Sequence, residues 1–586
     1  MPTPGPFHTR RLPSLAAKAV FAVLAALLAA ACAPAQAPAR QASGSAANRA
    51  HIVLVLPFEN DSGQPSLDWI GEAAAELLSS RFRSAGFDAL TREDRMYALD
   101  HLGLPQGFQP SRASALKLAM TLDASSIIVG SFSTRAGNLI AQAQLIDVPR
   151  LRMTQPFTAS GKLSGMIAIF DALAWKLTCK LDPQLGISEE TFIAAGRNLR
   201  VDGFEQYIRG VTEPDHTESL RHLDLAVKLM PGYSPAWMAL GREEYNSQEY
   251  KQAAAAFAKV DPSGPSGLEA EFYRGLSLLF SGDYPQSQQS FAAVARILPL
   301  AEVLNNEGVA ISRQGHDATT LFIQAAADDP HNPIYHFNLA ISLKRQGKSL
   351  AALNELAEYL KLRPGDTEAQ SMEEAWKAPA FHPTDEGLSV GTPAFHPTDE
   401  DLSVGAPAAQ TAAAPSSQST AAADSQTATD PQERIVSTFD ATAFRQAAQM
   451  LNEMDAARLA TLPPQEQARK LSLQAQGYLD RGLLLEAERL FQSAVSADPN
   501  LAEAHAGLAE VRERAGDASA ARKQAQAALQ LAPSAEAYLV LGQLDLAAGR
   551  LDQAYTEASA ALRLDPSSPA AQQLTRQIAA KEKRRK

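Results

Sequence analysis

The chain has 586 residues, too many for a single hydrophobic core and enough for several domains. Its 65 acidic against 53 basic side chains leave a net charge of −12, and the one basic run is the terminal KEKRRK. Nucleic acid needs a clustered Lys/Arg footprint and is excluded as a principal partner. The terminal run reads as the solvated end of a last helix, where cations suit the dipole.

Residues 1–31 read as an export signal. Arg10, Arg11 and Lys18 precede thirteen apolar residues, Ala19 to Ala31, a stretch too short to span a bilayer. Small residues directly before Cys32, in LLAAAC, resemble the lipobox of bacterial lipoproteins, in which the cysteine becomes the lipidated first residue. Ala29 stands where that pattern prefers leucine, so ordinary cleavage stays open. Thr9 to Arg11 resembles a twin-arginine signal, but Pro13 interrupts it and the general export route is expected. The chain has two cysteines, so lipidation of Cys32 leaves no internal disulfide. Cys179, in IAIFDALAWKLTCKL, reads as a small buried side chain. Residues 32–49, rich in Ala, Pro, Ser and Gly, read as a flexible tether, and Ala33 after the cysteine suggests the outer membrane.

Residues 50–183 mix strand and helix signals and predict a small α/β domain. IVLVLP is a buried strand that runs into a polar turn, Phe58 to Pro65, and a helix from Ser66 to Ser84. Ser66 is the expected cap, and Leu67, Ile70, Ala74, Leu77 and Leu78 make one buried face. GFDALT reads as a second strand, with helices following from about Arg92 and from Ser111 to Leu122. SSIIVGSF and NLIAQAQLIDV flank STRAG as a hairpin. Leu139, Ala141, Ala143 and Leu145 alternate with Gln142 and Gln144, so the sheet is covered on one side there. A helix from Leu163 to Leu181 closes the unit.

From residue 198 strand signals vanish and a helical repeat takes over. Pro499, Pro533 and Pro566 are 34 and 33 apart; Ala487, Ala521 and Ala554 each lie twelve residues ahead, and Phe491, Ala525 and Ala558 eight ahead. Small residues at fixed places let antiparallel helices approach closely, which is the tetratricopeptide pattern. Its best match places Ala475, Tyr478, Gly482, Ala487, Phe491, Ala494 and Pro499 in register. About five units are expected in a first array, residues 198–377, with Trp237, Leu240, Gly241, Tyr250, Ala253 and Phe257 marking one of them. Three more are expected within 434–586, which opens on a helical lead-in predicted to pack against the front of that second array and ends in a polar capping helix. Residues 378–433 between the arrays read as a disordered linker. It carries PAFHPTDEGLSVGT followed by PAFHPTDEDLSVGA, twelve identities in fourteen, read as a tandem duplication because neither copy completes a ligand set.

No phosphate loop, HExxH, paired CxxC or nucleophile elbow is present. Histidines such as His331 and His336 in PHNPIYH read as joint residues. No catalytic residue, metal or cofactor is expected.

VLPFENDSG, SSIIVGSF and AQAQLIDV resemble the domain related to the N-terminal domain of TolB, which recurs in bacterial envelope proteins fused to tetratricopeptide repeats. YIRG…LRHLDLAVKLMPGYSPAWMALG also resembles the unit that follows it in those proteins. The resemblance covers Ile52 to Pro364 and departs at PRLRMTQPFTASG, which lacks the Gly and Trp often found there. It implies a non-enzymatic domain that mediates protein contacts.

The expected architecture is therefore a small N-terminal α/β domain followed by a mainly α tetratricopeptide solenoid in two arrays. The expected function is a lipid-anchored envelope scaffold binding protein or peptide partners through the concave repeat faces, at the periplasmic face of the outer membrane. Without acylation of Cys32 it would be released to the periplasm. In the second array Arg469, Gln476, Glu503, Glu510, Glu513 and Gln543 are the candidate partner-binding side chains. This acidic, amide-rich set suits a basic partner. An accessory role in an export or assembly machine, and an enzyme with an unrecognised site, stay open as other readings.

Overall fold

The structure, a computed structural model, describes residues 52–105, 111–377, 431–437 and 441–585. The expected export signal and tether, Cys32, and the tandem duplication lie outside the described residues. Seven strands form one sheet in the order β3 (Asp88–Ala89), β1 (Ile52–Val55), β4 (Ser126–Arg135), β5 (Asn138–Asp147), β6 (Arg152–Met153). Beside this path β2 (Glu59–Asn60) pairs with β4, and β7 (Phe157–Lys162) with β5. β1 runs parallel to β3 and β4, while β4 and β5 make an antiparallel hairpin from Ser126↔Asp147 to Arg135↔Asn138. Its two-residue turn, Ala136 (φ 51°) and Gly137 (φ 78°), has the positive dihedrals that match the twist of paired strands.

Alternation in β1 sends side chains to both faces. Val53 and Val55 join Leu139, Ala141 and Ala143 in a core beneath α1 (Trp69–Ser84) and α4 (Met166–Leu181). Leu54 and Leu56 join a second core with α2 (Arg92–His101) and α3 (Arg112–Thr121). The corner after β1 turns on Phe58, whose ring lies edge-on to Phe170 at 5.7 Å. A β-carbon at Gly130 would come within 2.4 Å of the Phe58 ring, so glycine makes the space.

Two local expectations change. Pro65–Leu67 forms a single 3₁₀ turn, and α1 starts after Asp68 rather than at a Ser66 cap. Asp68 takes a hydrogen bond from Asn60 Nδ2 (2.6 Å) and no side-chain cap bond forms, so its carboxylate ties the helix start to the corner loop. The helix predicted from Leu163 likewise begins with a 3₁₀ turn, Leu163–Gly165, ahead of α4. Cys179 is exposed, not buried: α4 turns Leu173, Ala174, Leu177 and Thr178 inward and leaves the thiol on the opposite side.

After α5 (Glu189–Ala195) come five antiparallel helix pairs. They are α6 (Val201–Thr212) with α7 (His216–Leu229), α8 (Ser234–Asn246) with α9 (Tyr250–Phe257), and α10 (Gly267–Phe280) with α11 (Tyr284–Ala295). Then follow α12 (Ala301–Arg313) with α13 (Thr319–Asp328), α14 (Pro333–Arg345) with α15 (Ser349–Leu362), and the closing α16 (Thr367–Lys377). Within pairs a glycine on the first helix meets a phenylalanine ring on the second. A β-carbon at Gly241, Gly275 or Gly308 would approach Phe257, Phe291 or Phe322 to 2.8, 2.9 and 2.7 Å. Phe204, Tyr207 and Leu223 of the first pair share the core of Ile70 and Phe170, so sheet and array are one packed body.

The second array comprises α18 (Pro464–Asp480) with α19 (Leu484–Ala497), α20 (Ala502–Ala515) with α21 (Ala518–Leu531), and α22 (Ala535–Ala547) with α23 (Leu551–Leu564), ending in α24 (Pro569–Arg585). It is fastened to α5 and the residues around it. Arg197 donates to the carbonyls of Arg514 (3.2 Å) and Ala515 (2.7 Å) at the end of α20, and Gln492 donates to Gly186 O at 2.8 Å. Ala194 of α5 lies in the same cluster as Leu479, Phe491 and Leu508.

The lead-in helix α17 (Ala441–Ala460) does not pack against the front of the second array as expected. Its Phe444 is buried against Phe272 of α10, with ring centroids 5.6 Å apart, in the core of the first array. The residues just before it explain this, because they are already held in the first array.

A candidate peptide-binding groove

Residues 431–437, of which the first three were assigned to the linker, lie across the first helices of successive pairs in the first array. Three asparagines there, Asn305, Asn306 and Asn338, are fully buried. A buried amide without partners is costly, and these three find theirs mainly in the backbone of the crossing segment.

Asn338 accepts from the N–H of Arg434 (2.7 Å) and donates to its carbonyl (2.7 Å). Asn306 repeats the arrangement two residues on, accepting from Val436 N–H (3.0 Å) and donating to Val436 O (2.8 Å). Asn305 joins them, taking a bond from Asn338 (2.8 Å) and donating to Asn306 (3.2 Å) and to Arg434 O (3.3 Å). The amides therefore do for alternate residues what a neighbouring strand does in a sheet. They grip main chain, whatever side chains it carries.

The flanking side chains read sequence. Glu433 is buried, bonded by Arg345 and the Ser312 hydroxyl, with Arg313 Nε 3.5 Å away and Arg313 Nη2 on its carbonyl (3.1 Å). Arg434 points the other way. Its guanidinium lies 3.9 Å from the centroid of Phe337 and 5.1 Å from that of Tyr359, and it pairs with Asp366 (2.8 Å) and Glu368 (2.7 Å). The bond from Arg434 holds the Asp366 carboxyl well below the usual carboxylate range. Burial, with the bond to Asp366, pushes the Tyr359 hydroxyl up to about 12. Val436 is buried and Ile435 packs partly buried on the same apolar cluster. One acid, one arginine and two apolar side chains are thus each met by complementary chemistry.

A sequence signal for the groove existed. Asn305 and Asn338 stand 33 residues apart, at one place in the repeat, on the first helix of each pair.

The side chains proposed from sequence lie elsewhere, on the first helices of the second array: Arg469 and Gln476 on α18, Glu503, Glu510 and Glu513 on α20, Gln543 on α22. Arg469 and Glu503 are exposed. Gln476 donates to Asp480 (2.9 Å), and Glu510 is paired with Arg514, which compensates its charge. Burial first, and Glu510 second, raise the Glu513 carboxyl. His336 bridges Glu355 (2.7 Å) and Pro330 O (3.1 Å), and His505 bridges Gln524 (2.8 Å) and Pro499 O (3.0 Å), the same joint in both arrays. Among the described residues no three His, Cys, Asp or Glu side chains come together as a metal site.

The family model for the tetratricopeptide repeat matches residues 472–536 and 512–569. No curated protein matches the chain. Among solved structures, YrrB, described as a tetratricopeptide protein with an unusual peptide-binding site, is 16% identical, covering 35% of this chain and 99% of its own at a TM-score of 0.26. MamA (residues 41 to the end) from Desulfovibrio magneticus RS-1 is 18% identical over 31% of this chain and 99% of its own, TM-score 0.25. The LpoB C-terminal domain from Escherichia coli is 21% identical over 19% of this chain and 83% of its own, TM-score 0.18.

Proposed function

We propose that this tetratricopeptide-repeat protein is a non-catalytic scaffold that binds an extended polypeptide segment in the groove of its first array. The observation that carries this reading is the asparagine clamp: two buried amides each exchange a pair of hydrogen bonds with the backbone of alternate residues, 434 and 436. Paired main-chain bonds to alternate residues are how strand addition recognises an extended peptide. The second array, fastened to the residues flanking α5 through Arg197 and Gln492, then serves as a further binding face at a fixed station.

The chain acts at the cell envelope in this proposal, tethered by a lipid on Cys32 to the periplasmic face of the outer membrane. The support is the order of charged, apolar and small residues up to Cys32, and the resemblance of the first domain to envelope proteins. Affinity capture from detergent-solubilised envelope tests the scaffold reading. Partners retained by the native chain are expected to be lost from Asn306→Ala/Asn338→Ala; retention of every partner would refute the groove as the binding face. Palmitate labelling that persists in Cys32→Ala would refute the lipid.

A further inference from the structure

The groove described above holds a segment of its own chain. We infer that Glu433-Arg434-Ile435-Val436 is a tethered internal ligand, and that the groove's partner is a segment of the same chemistry from another protein: extended, with an acid, an arginine and two apolar residues in succession. This rests on the reading of the first array as a peptide-binding groove.

Three features argue for a displaceable ligand rather than a structural strut. Residues 431–437 form neither helix nor strand, and they hold their place by side chains of the array, not by secondary structure of their own. Their charges, Glu433 buried and Arg434 partly buried, are met by groups whose geometry reads charge and shape: Ser312 and Arg345 for the acid, and the Phe337 face with Asp366 for the arginine. A strut would more simply be apolar, since replacing buried ion pairs by packed hydrocarbon is often neutral or stabilising. Finally, the segment is joined to α16 only through the 53 residues 378–430, and to Ala441 through the three residues 438–440. On the other side the segment stays beside the groove through α17, whose Phe444 is buried in the same array, and a short tether of that kind presents its ligand at an effective concentration on the order of millimolar. Such a ligand occupies the groove when no partner is near and yields to one that binds more tightly or is presented at several points.

The order of charges matters. Glu433 lies against the cations at the ends of α12 and α14, and Arg434 against Tyr359, Asp366 and Glu368 at the array's C-terminal end. A segment with acid and arginine exchanged would place like charges together at both stations, so the groove selects polarity as well as composition.

The test uses the full mature chain and a fluorescein-labelled peptide of residues 429–439, followed by anisotropy. Glu433→Ala/Arg434→Ala disarms the internal ligand and leaves every groove residue in place. If the native groove is free at most a tenth of the time, the disarmed chain binds the peptide about ten-fold or more tighter than the native chain. Equal binding by both chains would overturn the internal-ligand inference while leaving the groove reading standing. No binding by either chain would overturn the groove reading itself. A peptide with Glu433 and Arg434 exchanged is expected to bind the disarmed chain at least about ten-fold more weakly, and equal affinity would overturn the charge order. Adding Asn306→Ala/Asn338→Ala to the disarmed chain should abolish binding, and persistence would also count against the inference. Circular dichroism monitors folding. If the double variant loses helix, Arg434→Lys, which keeps charge and gives up the two-nitrogen fork, carries the same comparison.

Discussion

The guanidinium of Arg434 lies 3.9 Å from the ring centroid of Phe337, and the ring is itself fully buried in the first array. A partly exposed cation over an aromatic face contributes about 1 kcal/mol, and the fork to Asp366 and Glu368 adds charge-assisted bonds. Hydrogen exchange at the Val436 amide, which donates to Asn306 at 3.0 Å, reports whether the segment is seated. Arg434→Lys should speed that exchange about ten-fold and Arg434→Ala about a hundred-fold, since each 1.4 kcal/mol is a factor of ten. Unchanged protection in Arg434→Ala would mean that Arg434 does not anchor the segment.

The repeat architecture was legible in the sequence because its cause is periodic. Ala487, Ala521 and Ala554 are all fully buried, as are Phe491, Ala525 and Ala558, because one helix-packing problem recurs and meets small side chains each time. The groove was less legible, although Asn305 and Asn338 recur at the repeat spacing. Asn338 and Arg434 are 96 residues apart, and one polar residue per repeat looks like any solvated position until its partner is known. Ser66 and Cys179 were misread on a finer scale. Capping and helix facing depend on a residue or two of phase, and Pro65 with the tie of Asn60 to Asp68 shifts the start of α1.

Docking of the second array is expected to hinge on Glu488. Its side chain is fully buried on α19 and pairs with Arg512 of α20, and it accepts from Gln492 (3.2 Å), the same amide that reaches Gly186 O ahead of α5. Removing it leaves Arg512 buried without its main partner, a loss of about 3–5 kcal/mol for a broken buried pair. Glu488→Ala should therefore make the second array unfold ahead of the rest in urea, producing two transitions by tryptophan fluorescence and circular dichroism where the native chain gives a larger first midpoint. Coincident, unshifted transitions would show that Arg197 and Gln492 suffice to hold the array.

Glu244 supplies a pH dependence with a definite sign. One carboxylate oxygen is buried with no hydrogen bond, and burial first, then Glu249 and Asp224, raise the group from its ordinary 4.5 to about 7. The folded chain keeps this proton over a range where the unfolded chain has released it, so stability falls as pH rises from about 4.5 to about 7. The residue is only half-buried, so the penalty above that window is discounted for solvent screening to about 1 kcal/mol. Glu244→Gln should match the native chain at pH 4 and exceed it by that amount at pH 8, read as the difference in urea midpoints. A constant difference across pH would assign the effect to packing instead of protonation.

The pair Arg81–Asp171, joined at 2.8 Å between Nε and Oδ1, links α1 to α4 at the base of the sheet domain, and Gly196 closes over it. A β-carbon at position 196 would fall 2.0 Å from Asp171 Oδ2 and 2.8 Å from Ile167 Cγ2, so glycine is required by space, its φ of −86° being open to any residue. Asp171→Ala should cost about 3–5 kcal/mol, because Arg81 is left buried and unpaired. Gly196→Ala should cost about 1–3 kcal/mol through forced displacement of the carboxylate. The two effects should not add. With the carboxylate gone, the new methyl meets Ile167 and the end of the flexible Arg81 side chain (3.2 Å), and Gly196→Ala in the Asp171→Ala background should cost at least about 0.5 kcal/mol less than in the native chain. Full additivity across that cycle, measured by urea denaturation, would mean that the closure over the ion pair is not what constrains position 196.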